Sequence, residues 1–183
     1  MKITNALFIA LVAVSCVAAK EPAKNPMVGG AAMYPTKDII DNAVNSADHT
    51  TLVAAVKAAG LVGTLKGAGP FTVFAPTNEA FGKLPAGTVE TLVKPENKDM
   101  LTKILTYHVV SGRISAMDLK KQIKAGHGKA ELTTVQGEKL TAMMNGSSIM
   151  IHDAKGGMAT ISISNVFQSN GVIHVVDSVL MPN

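Results

Sequence analysis

The sequence predicts an α+β domain, with helices in its first half and strands in its second. Apolar residues as far as Ile123 recur at helical spacing behind Ser and Thr caps. From Lys129 onward they fall instead into short runs rich in Val, Ile, Thr and Leu. Gly137, Asn145-Gly146, Gly156-Gly157 and Asn170-Gly171 separate those runs. Asn-Gly and Gly-Gly supply the positive φ that hairpin turns need. Helices and strands that segregate along the chain indicate α+β architecture, where a doubly wound parallel sheet would alternate them.

The chain opens with a leader pattern. Lys2 is followed by an apolar run from Ala6 to Val17, interrupted only by Ser15 and Cys16, and Val17 and Ala19 fit a cleavage site after Ala19. The run has about a dozen residues against the ~20 that span a bilayer core. Residues 1–19 are therefore read as a signal peptide and the protein as exported, periplasmic or extracellular, with no transmembrane span after cleavage. Ala13-Val14-Ser15-Cys16 loosely resembles a lipobox, so anchoring through a lipidated Cys16 is the alternative. Cys16 is the single cysteine, so a chain cut after Ala19 has no thiol and must be stabilised by its core.

Residues 20–32, with two Pro and two Gly and no periodicity, are read as a flexible linker, and 33–183 as the folded domain. Thr36 is placed to cap a helix carrying Ile39, Ile40, Ala43 and Val44 on one face. Thr50 or Thr51 caps a second, stopped by Gly60. Gly67 to Pro70 breaks the chain before a strand over Phe71–Ala75, and Thr77 opens a short helix through Phe81. Asn97–Tyr107 is the clearest helix, with Met100, Leu101, Ile104 and Leu105 on one side. His108–Val110 reads as strand. Ser115 and Asp118 form a capping box ahead of Leu119 and Ile123. Strands follow over 131–135, 139–144, 148–152, 160–164 and 172–176.

Composition narrows function. At 183 residues and 47 % hydrophobic content, the chain can bury one sizeable core. Charged residues make up 16 %, too few for a disordered polyampholyte. The formal charge of +4 is spread along the chain and there is no Trp, so no basic stripe with stacking aromatics marks a nucleic-acid partner.

Reactive motifs are missing. No HExxH or CxxC occurs, and the five His have no metal-ligand spacing, so no metal and no cofactor are expected. Gly146-Ser147-Ser148 lacks the second Gly of a nucleophile elbow. Gly60, Gly63, Gly67 and Gly69 lack the Gly-Lys-Ser/Thr of a phosphate loop and precede their strand instead of following it. Ten Met raise the question of copper, since thioethers are soft ligands. Only Met143 and Met144 are adjacent, and strand alternation sends them to opposite faces. Core gap-filling is the reading for the methionines, and no catalytic residue is assigned.

Two blocks go beyond composition: GPFTVFAPTNEAF over 69–81 and NGVIHVVDSVLMP over 170–182, with Tyr107-His108 between them. In this order they resemble the signature blocks and Tyr-His motif of the fasciclin domain family, over residues 33–183, in the manner of its small secreted single-domain bacterial members. The resemblance implies a twisted β-wedge of two small sheets packed against several helices. It implies adhesion through contacts with an unknown cell-surface or matrix protein or polymer, and no catalysis. Phe74, Pro76, Thr77, Asn78, Phe81, Asn170, Gly171 and His174 are the structural signature. In vertebrate relatives a Tyr-His and an Asp-Ile pair are proposed integrin contacts, which makes Tyr107, His108, Asn165 and Val166 the binding candidates here. Asn165-Val166 lacks the carboxylate of the Asp-Ile pair, which counts against metal-dependent integrin binding. A small-molecule or pigment-binding protein, with an enclosed apolar pocket, is the alternative function.

N-terminal sequencing of the exported protein is expected to begin at Lys20. An intact Met1 would refute export, and a blocked, lipid-modified Cys16 would place the protein on a membrane surface.

Overall fold

The computed structural model describes residues 25–183. The leader over 1–19, Cys16 and the first part of the linker lie outside the described residues.

The expected linker does not run as far as residue 32. Strands β1 (Met27–Val28) and β2 (Ala31–Ala32) pair antiparallel around Gly29-Gly30, both at positive φ. The two glycines are a hairpin turn, and Val28 and Met33 are buried in the core. Burial of those two side chains outweighs the local freedom that Pro and Gly suggest.

Helix α1 (Ile39–Ala43) is capped by Asp38, whose Oδ1 accepts from Asp41 N at 2.8 Å; Thr36 is not the cap. Helix α2 (Thr50–Ala59) ends at Gly60 in the left-handed region, as its sequence predicts. At its start the expected threonine cap is replaced by a distant residue. Asn78 Oδ1 accepts from Thr51 N at 3.0 Å and from the Thr50 hydroxyl at 3.2 Å. The short helices α3 (Val62–Leu65), α4 (Asn78–Gly82) and α5 (Thr88–Leu92) flank strand β3 (Phe71–Pro76) and lead to α6 (Lys98–Tyr107). Strand β4 (Val109–Ser111) precedes α7 (Ala116–Ala125), which carries the expected Ser115/Asp118 capping box.

The C-terminal strands are β5 (Lys129–Thr133), β6 (Lys139–Asn145), β7 (Ser148–His152), β8 (Met158–Gln168) and β9 (Gly171–Val176). With β3 and β4 they form a seven-stranded sheet in the order β4-β3-β9-β8-β7-β6-β5. Strand β8 is much longer than its alternating segment suggests. Two register shifts, between Ile161 and Ile163 and between Ile163 and Val166, bend it. The bend divides the sheet into two halves, which are the two small sheets of the expected wedge.

The central pair, β3 and β9, is parallel, from Phe71 beside Gly171 to Pro76 beside Val176. It is covered on both faces. Val73, Ala75, Ile173 and Val175 pack with Ile39, Ile40, Leu52, Val56, Leu101 and Ile104 of α1, α2 and α6. On the other face, Phe74 and Val176 join Leu119 and Ile123 of α7 and the inner row Ala130, Ala142, Ile151 and Ala159 of β5–β8. A strand apolar on both faces belongs in this position.

Two signature residues close the entrance to the pair. Asn170 Oδ1 accepts from Ile39 N at 3.1 Å, and its Nδ2 donates to Leu65 O at 2.7 Å and Gly67 O at 2.9 Å. One buried amide thus satisfies the start of α1 and the end of α3. At Gly171 a Cβ would run into the Phe71 carbonyl oxygen, so the close approach of β3 to β9 requires glycine.

Asn170→Ala is expected to lower the free energy of unfolding by about 3 kcal/mol, because it strands a buried amide and two carbonyls. Urea unfolding followed by circular dichroism measures the loss. A change below about 1 kcal/mol would show that water replaces these bonds at little cost.

Candidate functional site

Several polar residues of the signature blocks bond backbone groups and so tie separate elements together. Thr77 caps α4, its hydroxyl accepting from Ala80 N at 3.2 Å. Asn78 caps α2 and donates from Nδ2 to Ala47 O at 2.8 Å. Pro76 closes β3 beside Val176, and Phe81 is buried in the helical core. Phe74 is fully buried and stacks on His174, with ring centroids 5.8 Å apart.

Of the four expected adhesion residues, three have no accessible side chain. Tyr107 and Val166 are fully buried and His108 is 3 % exposed. The Tyr107 hydroxyl donates to Lys139 O at 3.1 Å and accepts from Ala154 N at 3.0 Å, joining α6 to the strands. His108 accepts from Leu180 N at Nε2, 3.0 Å, and its Nδ1 lies 2.8 Å from Ile104 O. That places the proton on Nδ1. Asn165 is half-buried at φ +60°, a left-handed conformation that Asn tolerates. Its Oδ1 accepts from Ala116 N at 2.8 Å, capping α7. The amide in place of the Asp-Ile carboxylate thus serves the β8 bend and a helix start.

His174 mirrors His108. Its Nδ1 lies 3.4 Å from Asn165 N and its Nε2 lies 2.9 Å from Ile114 O, so the proton sits on Nε2. Burial is the main cause that pushes the pKa of His49, His108 and His174 down, and His108 reaches about 4. His49 bonds Ser46 Oγ through Nδ1 at 2.9 Å. Its buried Nε2 meets no hydrogen-bond geometry among the described residues, although the nearby Ala75 backbone partly favours the charged form.

His49 borders an apolar cavity of about 40 Å³ lined by Val28, Ile40, Leu52, Val56 and Val73 among others. That is room for a solvent molecule or two, well short of the ~150 Å³ that admits benzene. The enclosed pocket that a pigment would need is not open in this conformation.

A second group of candidate residues lies on the outer face of the half-sheet β5–β8. A sheet face in water is normally polar. The inner row of β5–β8 is buried, and its outer face carries Met143, Met150 and Met158 with His152. Met143 stands opposite Met150, and His152 opposite Met158. Lys129, Glu131, Thr133, Lys139, Thr141, Ser148 and Thr160 complete the face. Sequence inspection misses this group because the residues come from three strands. The observed turn is Gly146-Ser147, with Asn145 opposite Ser148, one residue on from the Asn145-Gly146 turn that the sequence suggests, so the turn signal alone would have set Met143 opposite Ser148.

A parallel strand pair buried on both faces, locked by caps and imidazoles and flanked by a bent half-sheet, defines a β-wedge domain. The chain belongs to the fasciclin domain family, whose family model matches residues 47–182. Protein sll1483 of Synechocystis sp. is 47 % identical over 159 residues, covering 87 % of this chain and 81 % of that protein. Immunogenic protein MPB70 of Mycobacterium bovis is 38 % identical, over 76 % of this chain and 66 % of its own length. Cell surface glycolipoprotein MPB83 of the same species is 35 % identical, over 90 % and 70 %. The fold matches a FAS1 domain pair from the insect cell adhesion molecule fasciclin I, with a TM-score of 0.70 at 18 % identity. The match covers 80 % of this chain and 51 % of that one. Fasciclin domains are as a family adhesion domains, and among the described residues no helix is long and apolar enough to cross a membrane.

The three histidines set a pH window. Above pH 6.5 they are neutral in both folded and unfolded chains and cost nothing. Below it the unfolded chain takes up protons that the folded one refuses, so stability falls from pH 6.5 toward 4. His108 alone accounts for roughly 3 kcal/mol across that window. Denaturation at pH 7.5 and 4.5 is expected to show most of the loss, and His108→Gln to shrink it. This lies above the range where Asp41, Asp118, Glu131 and Glu138, all held below their usual pKa by hydrogen bonds, take up protons. A flat profile would contradict the neutral-histidine core.

Proposed function

We propose that this protein is an exported, non-enzymatic adhesion module that meets a cell-surface or matrix protein or polymer. The contact surface in this reading is the outer face of β5–β8. One observation carries it: Met158 is exposed and Met143 and Met150 are half-buried on an outer sheet face, while the Tyr-His pair is buried. Methionine is flexible and polarizable, so a methionine-bearing face adapts to a partner of irregular shape. A surface role agrees with the names of the mycobacterial relatives, one of them a cell surface glycolipoprotein. A single copy supplies weak contacts, and useful avidity follows from clustering on a surface, by lipidation of Cys16 or by self-association.

The test is retention of the purified protein on cell envelopes of the producing organism. The double substitution Met143→Glu, Met150→Glu is expected to abolish retention with little change in melting temperature. Tyr107→Phe is expected to lower the melting temperature, through loss of two hydrogen bonds worth about 1 kcal/mol each, and to leave retention intact. Full retention by the double variant would remove the adhesion surface from this face. Loss of retention by folded Tyr107→Phe would return it to the Tyr-His pair.

A further inference from the structure

The same face brings together a donor set that the linear sequence disperses. Met150 and His152 are alternate residues of β7 and project on one side. Met143 of β6 stands directly beside Met150, and Met158 of β8 directly beside His152. Directly opposed pairs place Cβ atoms about 5 Å apart and diagonal pairs about 7–8 Å, distances that long thioether side chains span. Met150 and His152 are the centre of the set, with Met143 beside them on one neighbouring strand and Met158 on the other, Met143 and Met158 themselves lying two strands apart.

The chemistry of the set is selective. Among the described residues no three His, Cys, Asp or Glu side chains gather. The oxygen-rich shells of Ca²⁺ and Mg²⁺ and the usual His, Cys and carboxylate shells of Zn²⁺ are therefore not what this face offers. Glu131 stands opposite Thr141, one strand removed from His152, and is engaged by Lys139 at 2.5 Å. Lys129 stands opposite Met143 at the edge and discourages highly charged cations. Thioether sulfur selects soft, weakly hydrated, monovalent ions, cuprous copper above all. Placement on β-strands keeps the donors together without an induced fold, since their backbones are held by the sheet and the buried row Ala142, Ile151 and Ala159 beneath them.

We infer that Met150 and His152, with Met143 and Met158 beside them, bind one cuprous ion on the outer face of β6–β8. Binding is a ligand exchange in which the ion sheds solvent for sulfur and an imidazole nitrogen. It needs no change of oxidation state and no macromolecular partner, so it goes beyond the adhesion reading and stands independently of it.

The test titrates the full chain, carrying Cys16→Ser to remove the lone thiol, with Ag(I), a redox-inert soft probe. Methionine methyl and histidine ring resonances report the site by NMR. One equivalent is expected to shift Met143, Met150, Met158 and His152 and to leave exposed Met100 and Met117 in place. Met150→Leu, which conserves volume, and His152→Asn are each expected to weaken binding at least about tenfold. Met117→Leu is expected to change nothing. No saturable binding, shifts spread equally over Met100 and Met117, or unweakened binding by Met150→Leu would overturn the site. Leucine keeps the face apolar, so envelope retention that survives Met150→Leu while silver binding fails separates this site from the adhesion surface.

Discussion

The architecture depends on the parallel pairing of β3 with β9. Phe71 lies beside Gly171, a hundred residues further along, and everything between them must be folded out and returned. Closing so long a loop is entropically costly, and the reward comes only when the pair is formed. Both signature blocks serve that closure. Gly171 removes the side chain that would keep the backbones apart, and Asn170 fastens the junction to α1 and α3. Once the pair exists, it is the shared wall of two apolar cores, and helices collect on one side while α7 and the bent half-sheet close the other.

Buried polar groups give this framework its specificity. His108, His174, Tyr107, Asn165 and Asn78 each bond backbone groups of elements far away in the chain. Burying such groups without partners is costly, so their exact complements are satisfied only in one arrangement of the elements. Asn42 adds to the same network, donating to Gln168 Oε1 and to Tyr34 O. The signature residues Phe74, Asn170, Gly171 and His174 are therefore ones that hold the interior. Opposite tautomers at His108 and His174 follow from this, because each ring accepts from one backbone amide and faces one carbonyl.

The outer face of β5–β8 is the complement of that interior. Its inner row is small and apolar because α7 and the central strands press against it. On the other side of the same strands Met143 and Met150 are half-buried and Met158 is exposed. Soft, adaptable side chains suit both a weak, multivalent protein contact and a soft metal ion. The two roles differ in what they need from the residue: apolar surface in the first, a sulfur lone pair in the second.

Much of the fold was legible locally. The segregation of helices from strands, the capping box of α7, the glycine stop of α2 and the two-sided apolar strand β3 all rest on interactions within a few residues. Those interactions are encoded at short range by spacing and side-chain type. What the linear order could not express were relations between distant elements. Asn78 as the cap of α2, Asn165 at the β8 bend, the hairpin hidden in the expected linker and the burial of Tyr107 and His108 each depend on a partner many residues away. The methionine face has the same origin. Alternation assigns each strand its two sides, but only the tertiary register decides which side is covered and which residues of neighbouring strands stand together, because that choice is made by burial of the opposite row.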